Sequence, residues 1–287
     1  MPHRNGHTHL STPKSLFQKL AGLERKFSTE AKPADVHHLR TTSRRLETLL
    51  TAHEDQLGGV ADKVVKQLGR LRRKAGRVRD FDVQTDALRA ISIESIARDK
   101  ARLISDLESS RQKREKKLLS VVAQELDSTM RKRMQKAEVQ LSQLSNEQPV
   151  DYSMLALDKF SVLADKYPVL TEDNLHPFRI ALKRVRYLAE LGKNGAAATV
   201  VSECKRAQDS IGDWHDMVML TNRAERLFAK KRAPIIAVLR TNRSTKLAEA
   251  FRTSVDVRQK LLKLHAERCK SSRPELVPES WMIAAAS

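Results

Sequence analysis

Apolar positions along this chain recur at spacings of three and four residues, which is the period of an amphipathic α-helix. Val36, Leu39, Leu46 and Leu50 form one such stripe, and similar stripes run from about residue 15 to about residue 270. No stretch shows the sustained alternation of apolar and polar residues that is typical of a half-buried strand. The sequence therefore predicts an all-α fold.

One helical segment is repeated in the sequence at an offset of 139 residues (176 minus 37). The motif His-x-x-Arg-x-x-x-Arg-Arg at 37–45 becomes His-x-x-Arg-x-x-x-Lys-Arg at 176–184, and the apolar stripe travels with it. A second motif, Gly-x-x-x-Asp, follows each copy at 76–80 and 212–216. Repeats of this length indicate duplicated domains rather than a short-period solenoid.

The repeats predict two helical bundles in tandem, at residues 13–146 and 150–270, joined through Asn-Glu-Gln-Pro at 146–149. Residues 95–145 contain neither Pro nor Gly, which predicts two long helices or a hairpin of them. The sequence also predicts an interrupted helix where Gly58 is followed by a second glycine.

Both ends of the sequence are predicted to be disordered tails, at residues 1–12 and 271–287. Three histidines in the first tail have no fourth ligand nearby, so no metal site is predicted there. The second tail contains Trp281-Met282-Ile283, an apolar tag that either docks on a partner or folds back on the chain.

The charge of the chain narrows the range of partners. A net charge of +19 and a pI near 10.1 concentrate polyanions, namely nucleic acid, polyphosphate or an anionic membrane surface. Aromatic residues make up only 4% of the chain, which disfavours base stacking as a binding mode. No apolar run resembles a signal peptide or a membrane span, and neither cysteine has metal-ligand spacing around it. We therefore expect a cytoplasmic protein, with Cys204 as a small core residue.

Each repeated helix is predicted to carry a basic stripe opposite its apolar stripe, because steps of three, four and seven residues share a helix face. A single such stripe is usually a solvated surface, but two matched stripes favour a ligand. Arg and Lys suit a chain of phosphates, since the guanidinium fork donates two hydrogen bonds and the ammonium is a compact charge. Asp80 and Asp216 would repel phosphate, so we predict that they hold nearby arginines or histidines.

The four motifs, together with strings such as Val36-His37-His38-Leu39-Arg40 and Leu182-Lys183-Arg184-Val185-Arg186-Tyr187, strongly resemble the CHAD family of α-helical domains. The resemblance covers roughly residues 15 to 270. It implies two four-helix bundles related by pseudo-twofold symmetry, with basic helices that line a shared groove or pore. It also implies binding of inorganic polyphosphate and association with polyphosphate granules, and leaves open the recruitment of other granule proteins.

Binding without catalysis, metal or cofactor is the expected activity. The residues expected to contact polyphosphate are His37, Arg40, Arg44, Arg45, Arg72, Arg79, His176, Arg179, Lys183, Arg184 and Arg186. One departure from symmetry is Glu47, which stands where the second copy has Arg186. The two motif histidines are expected near the ordinary imidazole pKa of about 6.5, or else to be core groups.

Two other functions remain open from the sequence. The charge alone would fit a nucleic-acid-binding protein, although no helix-turn-helix or aromatic RNA-binding motif is evident. The dipeptide His215-Asp216 is similar to that of metal-dependent HD phosphohydrolases, and the adjacent His37 and His38 with Asp80 and Asp82 would be candidate ligands. Against this, the repeat places basic residues where further metal ligands would be needed. Without a metal, Asp82 is predicted to be an ordinary helix charge.

Overall fold

The computed structural model describes residues 13–27, 30–147, 150–229 and 233–271. Residues 1–12, residues 272–287 and the last two residues of the predicted junction lie outside this part of the chain. Both predicted tails, apart from Ser271, and the apolar tag therefore fall outside the described residues.

The described part of the chain is helical and contains no strand, which confirms the predicted all-α fold. Two short 3₁₀ segments, at Glu24–Phe27 and Glu94–Ile96, accompany the α-helices. The α-helices are α1 (Pro13–Leu23), α2 (Pro33–Ala52), α3 (Glu54–Leu57), α4 (Gly59–Arg89), α5 (Ala97–Glu125), α6 (Ser128–Glu147), α7 (Tyr152–Lys166), α8 (Glu172–Ala189), α9 (Gly195–Leu227) and α10 (Pro234–Ser271).

Local sequence explains where the site helices begin and end. Helix α2 starts at Pro33, whose missing N–H costs nothing in a first turn, and α8 starts with a capping box between Thr171 and Asn174. Gly58 separates the short α3 from α4 with a φ of 62°, a left-handed conformation that favours glycine. The predicted interruption is therefore present. The glycine-free tract forms α5 and α6, as predicted.

Two core clusters follow the two copies of the repeat. One contains buried residues of α1, α2, α4 and α6 with the end of α5, and the other contains buried residues of α7 to α10. Leu39 and Leu46 are fully buried, and so is Phe178, the equivalent of Leu39. Cys204 is also fully buried, as predicted.

A third core cluster belongs to both halves. It joins the tip of the α4–α5 hairpin, through residues such as Leu88 and Leu103, to the tip of the α9–α10 hairpin, through Leu220 and Phe228. We call it the end cluster. Helix α2 also packs on α8, and α4 packs on α9. The four helices that carry the repeated motifs therefore lie side by side.

Candidate functional site

Charged side chains from all four motif helices influence one another where the two halves meet. Lys183 experiences the charges of Arg40 and Arg44, and Asp80 experiences those of Arg179 and Lys183. Asp80 and Asp216 also repel each other. We call this set the interior cluster; its members are Arg40, Arg44, Asp80, Arg179, Lys183 and Asp216.

Glycine in the Gly-x-x-x-Asp motif makes room for the motif arginine. Arg179 crosses α9 at Gly212, and its Nε donates a hydrogen bond of 2.8 Å to the carbonyl oxygen of Gln208. A methyl group at Gly212 would lie 3.0 Å from Arg179 Cζ and closer still to Nη2. Arg40 lies over Gly76 in the same way, although less tightly, because a methyl group there would be 3.6 Å from Arg40 Nε.

The two aspartates of the motif lie among the arginines. Burial raises the pKa of Asp216 to about 6, against the opposing effect of Arg179. The Asp80 side chain opens to solvent, yet the surrounding protein desolvates it enough to raise its pKa, against the opposing effect of Arg40 and Lys183. Their negative charges partly compensate a cluster that would otherwise contain only cations.

Among the basic side chains of the interior cluster, Lys183 has the largest shift in pKa. Its side chain is buried, with 8% of the residue exposed. Burial, together with the neighbouring arginines, lowers its pKa to about 6. The sequence suggested an ammonium group, but the Lys183 side chain is therefore largely a neutral amine at pH 7 in the free protein. Arg44 keeps its charge, because burial lowers its pKa only to about 10.

The two motif histidines do not retain the ordinary imidazole pKa that the sequence suggested. Desolvation, aided by the charge of Arg79, lowers the pKa of His37 to about 4. Desolvation and the charge of Arg179 lower the pKa of His176 as well. The His176 ring stacks on His215 with 3.9 Å between ring centroids, and its buried Nδ1 has no hydrogen-bond partner. Both motif imidazoles are therefore neutral at cytosolic pH.

Arg45 and Arg186 meet at the α2–α8 contact, where Glu190 balances them. Arg45 Nε donates to Glu190 Oε2 over 2.5 Å, and Arg186 Nε lies 3.7 Å from Glu190 Oε1. Arg186 also stacks over the Tyr187 ring at 4.6 Å. Sequence reasoning missed Glu190 because its counterpart in the first copy, Thr51, is not acidic. This ion pair ties the two halves together.

Two further ion pairs show how the copies diverged. Glu47 accepts a hydrogen bond of 2.5 Å from Arg72 Nε, so the acidic substitution is neutralised within its own half. Asp82 is buried, accepts a 2.6 Å hydrogen bond from Arg111 Nε and lies 4.0 Å from Arg79 Nη1. The prediction that Asp82 is an ordinary helix charge was wrong, because α5 packs over it and brings Arg111.

Two cavities open on the interior cluster. The larger, of about 960 Å³, lies between α2 and α4 on one side and α7 and α8 on the other, and includes Arg44, Arg72 and the exposed Arg184. We call it the helical cleft. The smaller, of about 360 Å³, lies between α4 and α9 beside α5 and includes Asp80 and Arg77. Arg44 and Asp80 thus connect the interior cluster to one cavity each.

The predicted ligand residues therefore fall into three groups rather than one stripe. Arg40, Arg44, Arg179 and Lys183 lie in the interior cluster. Others lie beside it, either in the helical cleft or around Glu190. His37 and His176 flank the cluster near the N-terminal ends of α2 and α8, and the arginine with the largest effect on the pKa of His37 is Arg79.

The described ranges also bear on metal binding and on membrane insertion. No group of three or more His, Cys, Asp or Glu side chains there is arranged to hold a metal ion. No described helix is both long and apolar enough to cross a bilayer.

The fold and site define an all-α protein in which two copies of a basic helix meet around a partly buried charge cluster. The sequence model of the CHAD domain family matches residues 14–225. The chain belongs to the CHAD domain family.

A solved structure supports the fold. The crystal structure of the CHAD domain from the plant Ricinus communis is similar, with a TM-score of 0.57 at 17% identity. The match covers 90% of this chain and 91% of that chain. No curated protein matches the sequence.

Proposed function

We propose that this chain binds inorganic polyphosphate without cleaving it, through the interior cluster and the arginines beside it. The observation that carries this proposal is the convergence of Arg40, Arg44, Arg179 and Lys183, from two copies of one motif, on a single site. The desolvated guanidinium groups repel one another, which lowers the stability of the free protein, and a polyanion relieves this repulsion. The membership of the CHAD family supports the same ligand.

Polyphosphate fits this site better than nucleic acid does. The interior cluster offers guanidinium groups and one buried amine, which suit phosphates, but no aromatic platform for bases. The two cavities that adjoin the cluster leave room for a chain to continue on either side. We therefore propose long polyphosphate chains as the ligand, rather than pyrophosphate or triphosphate.

A calorimetric titration with pyrophosphate, triphosphate and long polyphosphate tests this proposal. We expect the affinity to rise with chain length and to fall steeply with salt, because the cations displace condensed counterions. A fluorescent DNA or RNA oligonucleotide should be released when long polyphosphate is added at constant salt. Tighter binding to the oligonucleotide than to polyphosphate would overturn the proposal in favour of a nucleic-acid-binding protein.

We also propose that the chain does not cleave the polyphosphate it binds, which a separate experiment tests. Labelled polyphosphate is incubated with the protein and Mg²⁺ or Mn²⁺, and the chain length is followed on a gel. We expect no shortening, because the site assembles no nucleophile. Shortening that is lost when His215 or Asp216 is replaced would identify a metal-dependent phosphohydrolase instead.

Association with cytoplasmic polyphosphate granules would follow from such binding. A fluorescent fusion of the full chain is expected to co-localise with a polyphosphate stain. A uniform distribution in cells that contain stained granules would contradict granule targeting and leave the binding activity to the titration.

Gly212→Ala is expected to weaken polyphosphate binding at least about tenfold with little net change in the stability of the fold. The new methyl group displaces the Arg179 guanidinium, and the loss of one charge-assisted contact costs about 1.5–3 kcal/mol. The helix itself gains about 1 kcal/mol, since Ala is favoured over Gly in a helix interior, and this gain offsets the loss of the hydrogen bond from Arg179 Nε to Gln208. Calorimetry and urea unfolding measure the two effects separately.

The matched control for this variant is Gly76→Ala. Its methyl group would lie 3.6 Å from Arg40 Nε, which is an ordinary contact distance. We expect a gain in stability of about 1 kcal/mol, with affinity preserved within about threefold. Equal losses of affinity in the two variants would show that the close approach of Arg179 has no part in binding.

A further inference from the structure

The helical cleft has an apolar floor that polyphosphate binding does not explain. Val162 and Ile180 line it while remaining 67% and 40% exposed. Exposed apolar surface that is framed by charge commonly marks a docking site. A basic rim surrounds this floor; it includes Lys66, Arg70, Arg73, Lys159, Lys166 and Arg184. The occupant of such a cleft should combine acidic and apolar side chains.

A segment with that composition lies in the same chain, beyond the described residues. Glu275 and Glu279 supply the acidic groups, and the apolar tag at 281–283 supplies Trp, Met and Ile. Leu276 lies between the two glutamates and adds a further apolar side chain. The segment therefore matches the cleft in both charge and apolar character.

The described chain ends close to the cleft. Near the end of α10, Arg268 Nη2 donates to Asp151 Oδ2 over 2.6 Å, and His265 Nε2 lies 2.9 Å from Asp158 Oδ1. The end of α10 therefore lies beside the start of α7. Leu155, four residues after Asp151, is the first residue of α7 that lines the cleft.

The chain between α10 and the apolar tag is long enough to reach the whole cleft. Nine residues lie between Ser271 and Trp281, so the ten Cα–Cα steps between them extend up to about 33 Å. The 15 residues of α7 span only about 22 Å. Every part of the cleft along α7 is therefore within reach of Trp281.

We propose that residues 275–283 dock in the helical cleft of the same molecule, with Trp281 on the floor at Val162 and Ile180. Glu275 and Glu279 then pair with the basic rim. A second consequence rests on the proposed function: the docked segment covers Arg44, Arg72 and Arg184, so it competes with polyphosphate for this side of the site.

Tryptophan fluorescence of the full chain tests the docking without polyphosphate. The sequence has two tryptophans, and Trp214 is only 4% exposed, so subtracting the spectrum of Trp281→Phe isolates Trp281. We expect a blue-shifted Trp281 emission that is independent of protein concentration. Val162→Asp should shift it to the emission of a solvated indole, because the floor is lost and the new carboxylate repels the glutamates.

The matched control is Val169→Asp. Val169 is 70% exposed, similar to Val162, but lies between α7 and α8 outside the cleft. It should leave the Trp281 emission unchanged. A solvated emission in the parent protein, or a blue shift that survives Val162→Asp, would overturn the docking. A blue shift that grows with protein concentration would overturn it in favour of docking between two copies.

The competition is tested separately with polyphosphate. Adding long chains is expected to shift the Trp281 emission to the red, and Trp281→Ala is expected to tighten polyphosphate binding. The gain is about tenfold if the docked state is populated at about 90% in the free protein. Failure of polyphosphate to bind at all would overturn the proposed function and leave the fluorescence result standing. Binding that leaves the emission unchanged would overturn the competition.

Discussion

Reversing the charges of Arg44 and Lys183 together is expected to weaken polyphosphate binding at least about 100-fold. Each change removes a charge-assisted contact worth about 1.5–3 kcal/mol and places a carboxylate beside the ligand. Two such losses exceed about 2.8 kcal/mol, which corresponds to about 100-fold. The fold should persist, because Arg40 and Arg179 lie close enough to neutralise the new carboxylates. Calorimetry measures the affinity and circular dichroism the helical content.

The control for this variant is the double reversal of Lys132 and Lys136. Both are exposed on α6, outside the interior cluster and both cavities, and their reversal changes the net charge at least as much, because Lys183 is largely neutral at pH 7 in the free protein. We expect it to weaken binding less than about tenfold, through the overall field alone. Equal losses in the two variants would show that the chain binds polyphosphate by net charge. Loss of helicity in the Arg44 and Lys183 variant would make those residues structural.

Polyphosphate affinity is expected to rise by up to about tenfold per pH unit as pH falls from 8 to 6. Lys183 has a pKa of about 6 in the free protein, and a polyanion beside it favours the ammonium form. Binding therefore takes up a proton throughout the range between the free and bound pKa values, and affinity increases as pH decreases. Asp216, with a pKa of about 6, acts in the same direction, because its protonation removes a negative charge.

The groups that set this titration come from all four motif helices. Those that face Lys183 or its neighbours are Arg40 and Arg44 of α2, Asp80 of α4, His176, Arg179 and Arg186 of α8, and His215 and Asp216 of α9. Lys183→Arg is expected to flatten the profile above about pH 7, since a guanidinium stays charged. Calorimetry at several pH values, in buffers of different ionisation enthalpy, measures the proton uptake.

The motif histidines provide the contrast. Replacing His37 and His176 with Gln should leave the pH profile largely intact, because desolvation lowers the pKa of both imidazoles, that of His37 to about 4, and so disfavours their charged forms. A profile that is flattened by the histidine changes and retained in Lys183→Arg would show that the imidazoles, rather than the amine, bind the proton.

The all-α fold could be predicted because an amphipathic helix is encoded by the spacing of apolar residues that are close in sequence. The stripe through Leu39 and Leu46 is buried as expected, and its copy through Phe178 is as well. The placement of one half relative to the other could not be predicted in this way, because it depends on contacts between residues that are distant in sequence. Lys183 and its equivalent Arg44 share a helical phase, but Lys183 is buried and Arg44 is only half-buried, because their surroundings differ.

Parts of the site were visible in the sequence but not interpreted. A glycine inside a helix costs about 1 kcal/mol, so Gly76 and Gly212, repeated at one offset, indicated a close approach. The crossing arginine is the reason. Glu190 gave no such signal, because its pairing with Arg45 depends on the contact between α2 and α8, which no local pattern encodes.

The end cluster constrains how the two copies can diverge. Leu103 and Phe228 come from different copies yet contribute to one core, so a change in the volume of either requires compensation in the other. Residues on the outer surface of α6 or α10 face no such demand. We expect the copies to evolve as a pair at the tips of their long hairpins and independently elsewhere on the surface. A gene that encoded only one copy would leave half of this core exposed to water.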